Sequence, residues 1–456
     1  MTDNDPATND ISKVAIRHTE KRRISTCHFA DRIAESVLEV YRASVNPKPH
    51  PTCLAAIVVH EAENDHLSVI ALGVGTKFLT ERLIKNEQTN EFPYGRRVRD
   101  MHAEVLCRRA FRRYLSQRIL QDIQPGEDLH QSSCMDFLER TDHHKWKIRR
   151  GHTLHAYFSS TPCGNATVKK FAKLTKEIFR PDLVLWPTEQ HPPEIGHSIH
   201  LGQFALLVKK DATASTENAE HHITLNTKHQ RQYTIPVENI PTGTASVDSK
   251  QGSLHTCSDK VCRWNCLGWQ GSLLATLFEE PLHVGTITVG RKFSGVCFRR
   301  AVCCRIGTDY PSNPQGQCVN HPSAMCTAVY VDPDAVITPQ QDGTNDLQFT
   351  ATQAFVWWPG LAQAHTLDSN TGFSADGEEM ESPVCSKRLT EVFHTIVREL
   401  GIMDPKENGG KLYRTLEDLR RFKLAISPYY EADKDKLLQH KVMRNWCRRQ
   451  PAEVQP

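Results

Sequence analysis

A histidine and a glutamate stand two residues apart at the start of a predicted helix, and both side chains can take part in metal-assisted proton transfer. The segment is His102-Ala103-Glu104, and apolar residues at helical spacing follow it through Leu115. At the first turn of a helix both side chains can point into one pocket. The histidine could bind Zn²⁺, and the glutamate could reach a water molecule beside the metal. The tripeptide is also typical of an ordinary helix start, so both interpretations stay open at this point.

A cysteine about 60 residues further along the chain favours a metal site over an ordinary helix start. Pro162-Cys163-Gly164 follows TLHAYFSST, a predicted buried strand, and a helix is expected to begin after it. A position near a helix N-terminus lowers the pKa of a thiol and suits metal binding. HAE at one helix start and PC at the next resembles the arrangement of the zinc deaminases, although Ala166 stands where many of them have a second cysteine. A catalytic zinc needs three protein ligands, so the third must come from elsewhere.

The segment TCSDK offers that third ligand and belongs to a longer resemblance. HAEVLCRR, STPCGNA and TCSDKVCRWNCLGWQGSLL occur in this order. Together they closely resemble the adenosine-deaminase domain shared by the tRNA adenosine deaminases and the double-stranded-RNA adenosine deaminases, over roughly residues 29–446. The resemblance implies that Cys257 of the CSDK motif completes the zinc site. It also implies that Glu104 moves the protons while water replaces the amino group at C6 of adenine, which yields inosine.

The same resemblance implies a buried polyanion, because the double-stranded-RNA enzymes enclose an inositol hexakisphosphate in a basic cavity beside the zinc. Burying several unpaired cations is costly, so a polyphosphate that neutralises them would stabilise the core. The implied contact residues are Arg108, Arg109, Lys260, Trp264, Gln270, Lys387, Tyr413, Tyr430, Lys434 and Trp446. Two positions depart from the family pattern: Glu417 stands where a lysine is expected, and Arg99 where an asparagine is expected.

Four further residues are expected around the reaction site. The segment GVGTK matches a turn at the mouth of the family's pocket, so Thr76 and Lys77 are candidates for contacting the flipped nucleotide, with a plain hairpin turn as the alternative. Asp100 occupies the position of an aspartate that links Lys260 towards the active site. Asn165 follows the PCG motif, where the double-stranded-RNA enzymes have an aspartate, and is expected to support the site.

The start of the predicted domain bears on the substrate. FADRIAESVLEVY, from residue 29, resembles the start of the eukaryotic tRNA deaminases, the branch that modifies adenosine 37 of alanine tRNA. We expect no duplex-binding module before it, and no duplex-inserting loop is visible before Cys257. The resemblance therefore implies a tRNA substrate and no DNA partner. A deaminase of double-stranded or messenger RNA stays open, as does an inactive zinc- and inositol-phosphate-containing RNA-binding subunit, although such a subunit has no use for Glu104.

Composition sets limits on the class of protein. The chain has 456 residues, of which 39% are hydrophobic and 24% charged, with a formal net charge of +3, so nucleic acid would bind a local basic patch and not the whole surface. The polar N-terminus shows no signal peptide, and no apolar run is long enough to span a membrane. The 15 cysteines are therefore expected to be reduced. We expect a soluble intracellular monomer in the cytoplasm, the nucleus or both.

The elements that must position these residues are predicted from hydrophobic spacing. Strands are expected at 53–62, 67–77 and 153–161, and helices dominate after residue 388. The fold class is therefore mixed α/β, with a deaminase-like central β-sheet flanked by helices and a helical C-terminal part. The expected organisation is a disordered tail over 1–25 and one editase domain over 26–450, with polar insertions near 116–152, 210–250 and 361–382.

Overall fold

A computed structural model gives the three-dimensional arrangement of the chain. The structure describes residues 28–46, 52–79, 94–124, 137–164, 255–306, 319–330, 352–402 and 415–440, with gaps at 142–144 and 294. It also describes the single residues 83, 166 and 443 and the backbone of four short strands between 184 and 236. The expected tail over 1–25 lies outside these residues. No helix in the described part of the chain is long and apolar enough to cross a membrane.

Seven strands form the central sheet, in the order β13-β12-β7-β1-β2-β14-β15. β12 runs parallel to β7 and β13, whereas the other neighbours are antiparallel, so the sheet is mixed. Its strands are β1 (Leu54–Glu61), β2 (His66–Val74), β7 (His152–Ser160), β12 (Thr286–Arg291), β13 (Ser323–Cys326), β14 (Gln353–Trp357) and β15 (His365–Asp368). Apolar residues fill both faces of β1 and β2, because helices and loops cover both sides of the sheet.

Two further pairs of short strands come between β2 and β7 along the chain. The pairs are β3 (Thr76–Phe78) with β4 (Asp100–His102) and β5 (Leu138–Arg140) with β6 (Trp146–Ile148). A further four-stranded sheet has the order β10-β11-β9-β8, formed by β8 (Val184–Leu185), β9 (Gln203–Lys209), β10 (His222–Thr227) and β11 (Gln230–Pro236). Two of these strands fall partly or wholly within the second expected insertion, 210–250, so this region contains regular backbone structure.

Eight helices are described, and the last three account for the helical C-terminal part. They are α1 (28–44), α2 (Ala103–Ile123), α3 (Cys257–Leu267), α4 (Gly271–Ala275), α5 (Gly295–Val302), α6 (Ser386–Glu399), α7 (Leu416–Ile426) and α8 (Pro428–Gln439). The mixed α/β fold predicted from the sequence is thus confirmed. Helix α2 continues through Ile123, into the range where the first insertion was expected, because Leu115 and Ile119 still pack in the core.

Helix α2 lies so close to the sheet that one strand position has no room for a side chain. A Cβ atom added at Gly73 of β2 would stand 2.3 Å from the backbone nitrogen of Cys107 and 2.4 Å from the carbonyl oxygen of Ala103. Contacts this short do not occur between real atoms, so only glycine allows this helix to reach the strand. The close approach fixes the helix start, and with it the segment that carries His102 and Glu104.

Candidate metal centre and active site

His102 is held at the junction between strand β4 and helix α2. The residue ends β4, where it pairs with Thr76, and the next amide, that of Ala103, donates to the Gly75 carbonyl over 3.0 Å. Oδ1 of Asp100 accepts from the His102 backbone amide over 3.0 Å and lies 2.7 Å from its Nδ1. A carboxylate only accepts, so Nδ1 carries a proton, and in the neutral ring Nε2 has a lone pair for another partner.

A buried ion pair fixes the orientation of Asp100. The Lys260 ammonium pairs with Oδ2 of Asp100, while Oδ1 faces His102. Burial alone would favour the protonated acid, but Lys260 and His102 outweigh it and hold the pKa of Asp100 well below its usual range. Asp100 is therefore a permanent anion that connects helix α3, which carries Lys260, to the histidine.

Cys163 and Cys257 meet at the N-terminus of helix α3. The backbone amide of Cys257 points at Sγ of Cys163 over 3.3 Å, and the amide of Ser258 donates to the Cys163 carbonyl over 3.0 Å. Hydrogen bonding from Cys257, helped by His102, lowers the pKa of the Cys163 thiol, whereas burial raises that of Cys257. The sequence predicted that the helix after Cys163 would stabilise its thiolate; within the described residues helix α3 supplies that environment.

Two small residues let the Cys163 loop reach helix α3. Thr256 caps the helix, with its hydroxyl oxygen accepting from the Asp259 amide and its proton donated to Oδ2 of Asp259 over 2.6 Å. Gly164 has a φ of +94°, and a Cβ there would stand 2.2 Å from the Thr256 hydroxyl oxygen. The PCG and TC motifs therefore depend on each other: the glycine gives the space and the backbone angle that bring the two cysteines together.

Glu104 lies in the first turn of helix α2, and its side chain is buried beside the cysteine pair. Cys257 is within hydrogen-bonding reach of its carboxyl group, and His102 is close enough to favour its ionised form. Burial nevertheless dominates and raises the pKa of Glu104 above its ordinary value. A carboxyl group whose pKa is shifted towards neutrality is suited to accept and return a proton.

The donor set fits a zinc ion. Nε2 of His102 is buried and has no hydrogen-bond partner among the described residues. One ring nitrogen of His102 and the sulfur atoms of Cys163 and Cys257 all lie within 4.8 Å of one another. One imidazole and two thiolates are zinc ligands, and the carboxylate behind the histidine is the usual outer partner that fixes the ring. The three residues predicted as ligands are thus brought together, with Glu104 beside them.

Strand β3 lies beside the candidate site and carries the two residues expected to contact the nucleotide. Thr76 is exposed and stands opposite His102 in the β3–β4 pair, and Lys77 is half-buried next to it. The ring of Phe78 stacks on His102, with centroids 5.9 Å apart and an angle of 27° between the planes. Phe78 was not predicted from the sequence, and its place after the GTK turn was the available signal. Asn165 lies outside the described residues.

A group of cationic side chains comes from helices α2, α3, α7 and α8. We call it the basic cluster and define it as Arg108, Arg109, Arg112, Arg263, Lys423 and Lys434. Burial and the mutual repulsion of these charges lower the pKa of Arg108 to about 9, of Arg112 to about 10 and of Lys423 to about 7. Tyr430 lies near Arg108 and Arg112 of helix α2.

Several donors in the basic cluster and beside it are buried without a hydrogen-bond partner in the described structure. They are Nε of Arg108, Nε of Arg112 and the indole nitrogen of Trp264. The Arg108 guanidinium lies over the Trp264 ring, 4.9 Å from the ring centre. Lys434 pairs with Glu431, and a guanidinium nitrogen of Arg109 donates to the Val384 carbonyl over 2.8 Å. Unpaired buried donors and repelling cations together favour a bound anion.

Other residues predicted to contact a polyanion have different roles or lie elsewhere. Lys260 faces Asp100, and Gln270 accepts from the Leu282 amide over 2.8 Å. Lys387 lies between Glu381 and Glu391. Tyr413 and Trp446 lie outside the described residues. Glu417 is half-buried near Arg420, and Arg99 lies over the Tyr94 ring, 4.6 Å from its centre. Arg112, Arg263 and Lys423 were missed, although Arg112 is one helical turn after Arg108.

Comparison with known proteins identifies the family. A sequence model of the adenosine-deaminase (editase) domain matches residues 71–450. The chain belongs to this family, and its metal-ligand group and buried carboxyl stand within the matched region.

Two kinds of relative appear among the similar proteins. The mouse double-stranded RNA-specific adenosine deaminase is 27% identical over 331 residues, which cover 70% of this chain and 25% of that protein. The chain thus spans about a quarter of the length of that relative. The mouse tRNA-specific adenosine deaminase 1 is 22% identical over 487 residues, covering 88% of this chain and 95% of that protein. The human protein of the same name is 25% identical over 358 residues, covering 60% and 69%.

Proposed function

We propose that this chain catalyses the zinc-dependent hydrolytic deamination of adenosine to inosine in tRNA, at adenosine 37 beside the anticodon of alanine tRNA. The observation that carries the reaction is the convergence of His102, Cys163 and Cys257 around one point, with the buried carboxyl of Glu104 beside it. The alignment with a tRNA-specific deaminase over 95% of that relative supports the substrate class. The particular nucleotide rests on the resemblance of the domain start to the tRNA branch.

The three ligands would hold the cation, and Glu104 would carry the protons. When bound, zinc acts as a Lewis acid that makes a water molecule acidic near neutral pH. Glu104 accepts one proton from the attacking water and delivers it to N1 of adenine; it then accepts the second proton of that water, from the hydroxyl group formed at C6, and delivers it to the amino group that leaves as ammonia. Adenosine and water thus give inosine and ammonia. Asp100 keeps the His102 ring in one orientation throughout, since its carboxylate stays ionised.

Thr76 and Lys77 are proposed to contact the flipped nucleotide at the mouth of the site. Thr76 is exposed on β3 opposite His102, and Lys77 follows it. A hydroxyl and an ammonium group at this edge can hydrogen-bond to a sugar or phosphate oxygen of the RNA. The two side chains would fix the strand while the base enters towards Glu104.

Two RNA substrates test the substrate assignment. The purified full chain is incubated with transcribed alanine tRNA and, separately, with a long perfect RNA duplex, and inosine is measured at each adenosine by sequencing. We expect conversion of adenosine 37 in the tRNA. Conversion in the duplex alone would contradict the tRNA assignment while leaving the deaminase chemistry intact. An alanine tRNA with guanosine at position 37 is the control for signal at other positions.

We infer in addition that the basic cluster encloses an inositol hexakisphosphate. The unpartnered nitrogens of Arg108, Arg112 and Trp264 would donate to phosphate oxygens, and the phosphate charge would relieve the repulsion that depresses the pKa of Lys423. The bound polyanion would join helices α2, α3 and α7 by contacts that the protein alone does not make. Mass spectrometry of the denatured protein should release the compound.

The variant Lys423→Met gives a result whose sign depends on the polyanion. If a phosphate contacts Lys423, the variant loses an ionic hydrogen bond that contributes about 1.5–3 kcal/mol, so the midpoint of thermal unfolding falls. If the cluster holds no anion, the variant removes a repelled cation and the midpoint rises, which would contradict the proposal. Lys436→Met is the matched control, since Lys436 is exposed and pairs only weakly with Asp433 at 3.3 Å.

A further inference from the structure

Two adjacent cysteines and a histidine form a second group of metal-ligand side chains. Cys303 follows helix α5, Cys304 begins a 3-10 helix, and His321 lies shortly before strand β13. Sγ of Cys303 is 3.6 Å from Sγ of Cys304, which in turn is 3.7 Å from Nδ1 of His321. All three donor atoms lie within 4.8 Å of one another. None of these residues takes part in the proposed deamination or in the basic cluster.

The distances match those between the ligands of a tetrahedral zinc ion. With Zn–S near 2.3 Å and Zn–N near 2.05 Å, tetrahedral angles place two sulfur ligands about 3.8 Å apart and a sulfur and a nitrogen about 3.6 Å apart. The observed separations of 3.6 Å and 3.7 Å agree with these values within the tolerance expected of a metal site. A set of two thiolates and one imidazole favours zinc over calcium or magnesium, which prefer oxygen ligands.

One buried residue holds both ligand-bearing segments in place. Asn265 of helix α3 is fully buried. Its side-chain nitrogen donates to the carbonyl of Val302, just before the cysteine pair, over 2.9 Å. Its backbone carbonyl accepts from the amide of Asn320, just before the histidine, over 2.9 Å. The Asn320 side chain also donates to the Val284 carbonyl over 2.9 Å. The two segments are thus positioned by the core and do not depend on the metal ligands to meet.

The group is accessible to an ion from solvent. His321 is exposed and Cys304 is half-buried, whereas Cys303 is buried and its thiol donates to the Arg299 carbonyl over 3.2 Å. Three protein donors would leave one position of a tetrahedral ion for a water molecule. Neither cysteine forms a disulfide with another described residue.

We propose that Cys303, Cys304 and His321 bind a second zinc ion, which fastens the end of helix α5 to the segment before β13. The inference goes beyond the proposed deaminase activity and does not depend on it. Because this site uses elements other than those of the catalytic group, its loss should leave the reaction intact. The bound ion would stabilise the fold in proportion to its affinity, since the unfolded chain does not present the three donors together.

Zinc content of the purified full chain tests the proposal. The wild-type protein, loaded with zinc and dialysed free of excess, should contain two zinc ions per chain. Cys304→Ser and His321→Ala should each contain one and should still form inosine at the wild-type rate. Both residues lie at least partly exposed, so the variants are expected to fold, and near-ultraviolet circular dichroism verifies this. Cys326→Ser, which removes an exposed free cysteine of β13, is the matched control and should keep two ions.

A cobalt spectrum shows whether the second ion is bound by the thiolates. Cobalt-loaded wild-type protein should show stronger sulfur-to-metal charge transfer than cobalt-loaded Cys304→Ser, and the difference should have the visible bands of a tetrahedral ion. A single zinc ion in the wild-type protein would overturn the proposal. So would two ions in either Cys304→Ser or His321→Ala, or a cobalt difference spectrum without thiolate charge transfer.

Discussion

Replacing Glu104 by glutamine should abolish inosine formation and leave the bound zinc in place. The glutamine has the same shape but cannot accept a proton from water or return one to the base, so kcat should fall by about 10²–10⁴-fold. Because burial already favours the neutral form of Glu104, an uncharged side chain of equal size should pack without disturbing the helix. Single-turnover deamination of alanine tRNA and zinc analysis of the same sample measure both effects.

The control for this variant is a carboxylate that plays no part in the site. Glu139→Gln changes a side chain that is 41% exposed and pairs with Lys147, and it should keep full activity. Glu104→Ala should behave like Glu104→Gln, with the metal retained. If either Glu104 variant forms inosine at a rate close to that of the wild type, another group carries the protons and the proposed role of Glu104 is incorrect.

Removing the charge of Asp100 should weaken both metal binding and folding. Asp100→Asn takes away the carboxylate that orients His102, so the affinity for zinc should fall by about 10–100-fold. The same change leaves the buried Lys260 cation without its partner, which costs about 3–5 kcal/mol of folding free energy. Zinc affinity follows from competition with a chelator of known strength, and stability from denaturant unfolding of the metal-free protein.

A double variant separates these two effects. In Asp100→Asn with Lys260→Met the uncompensated cation is gone, so the free energy of unfolding should recover most of the loss. The affinity for zinc should stay low, because Nδ1 of His102 still faces an amide instead of a carboxylate. Equal recovery of both properties would show that Asp100 acts on the metal only through overall stability, and that its contact with His102 is unimportant.

Local motifs, together with the family resemblance, were sufficient to name the residues that converge in the candidate metal centre. HAE and PCG each combine a candidate ligand with the turn or helix start that positions it, and the resemblance added Cys257 to His102 and Cys163. The packing that brings these residues together could not be predicted from the sequence, because the close contact of Gly164 with Thr256 joins segments that are far apart in the chain. The same holds for Asn265, which connects the ends of two other segments.

The basic cluster was only partly predictable, because its members come from several helices. Arg108 and Arg109 follow the HAE motif directly, but Arg263 and Lys423 carry no local signal that distinguishes them from surface cations. Lys387, in contrast, was predicted to contact the polyanion from a loose C-terminal resemblance, but it lies between two carboxylates. Charge clusters depend on the three-dimensional packing of distant helices, whereas a metal ligand is marked by the turn that presents it.

Inosine mapping in cellular tRNA tests the central claim most directly. Alanine tRNA is isolated from cells that contain this protein and from cells that lack it, and the base at position 37 is read by sequencing and by mass spectrometry of the nucleosides. We expect inosine, or a derivative of it, at position 37 only when the protein is present, with restoration by the wild-type gene and not by Glu104→Gln. Unchanged inosine at position 37 in cells that lack the protein would contradict the account.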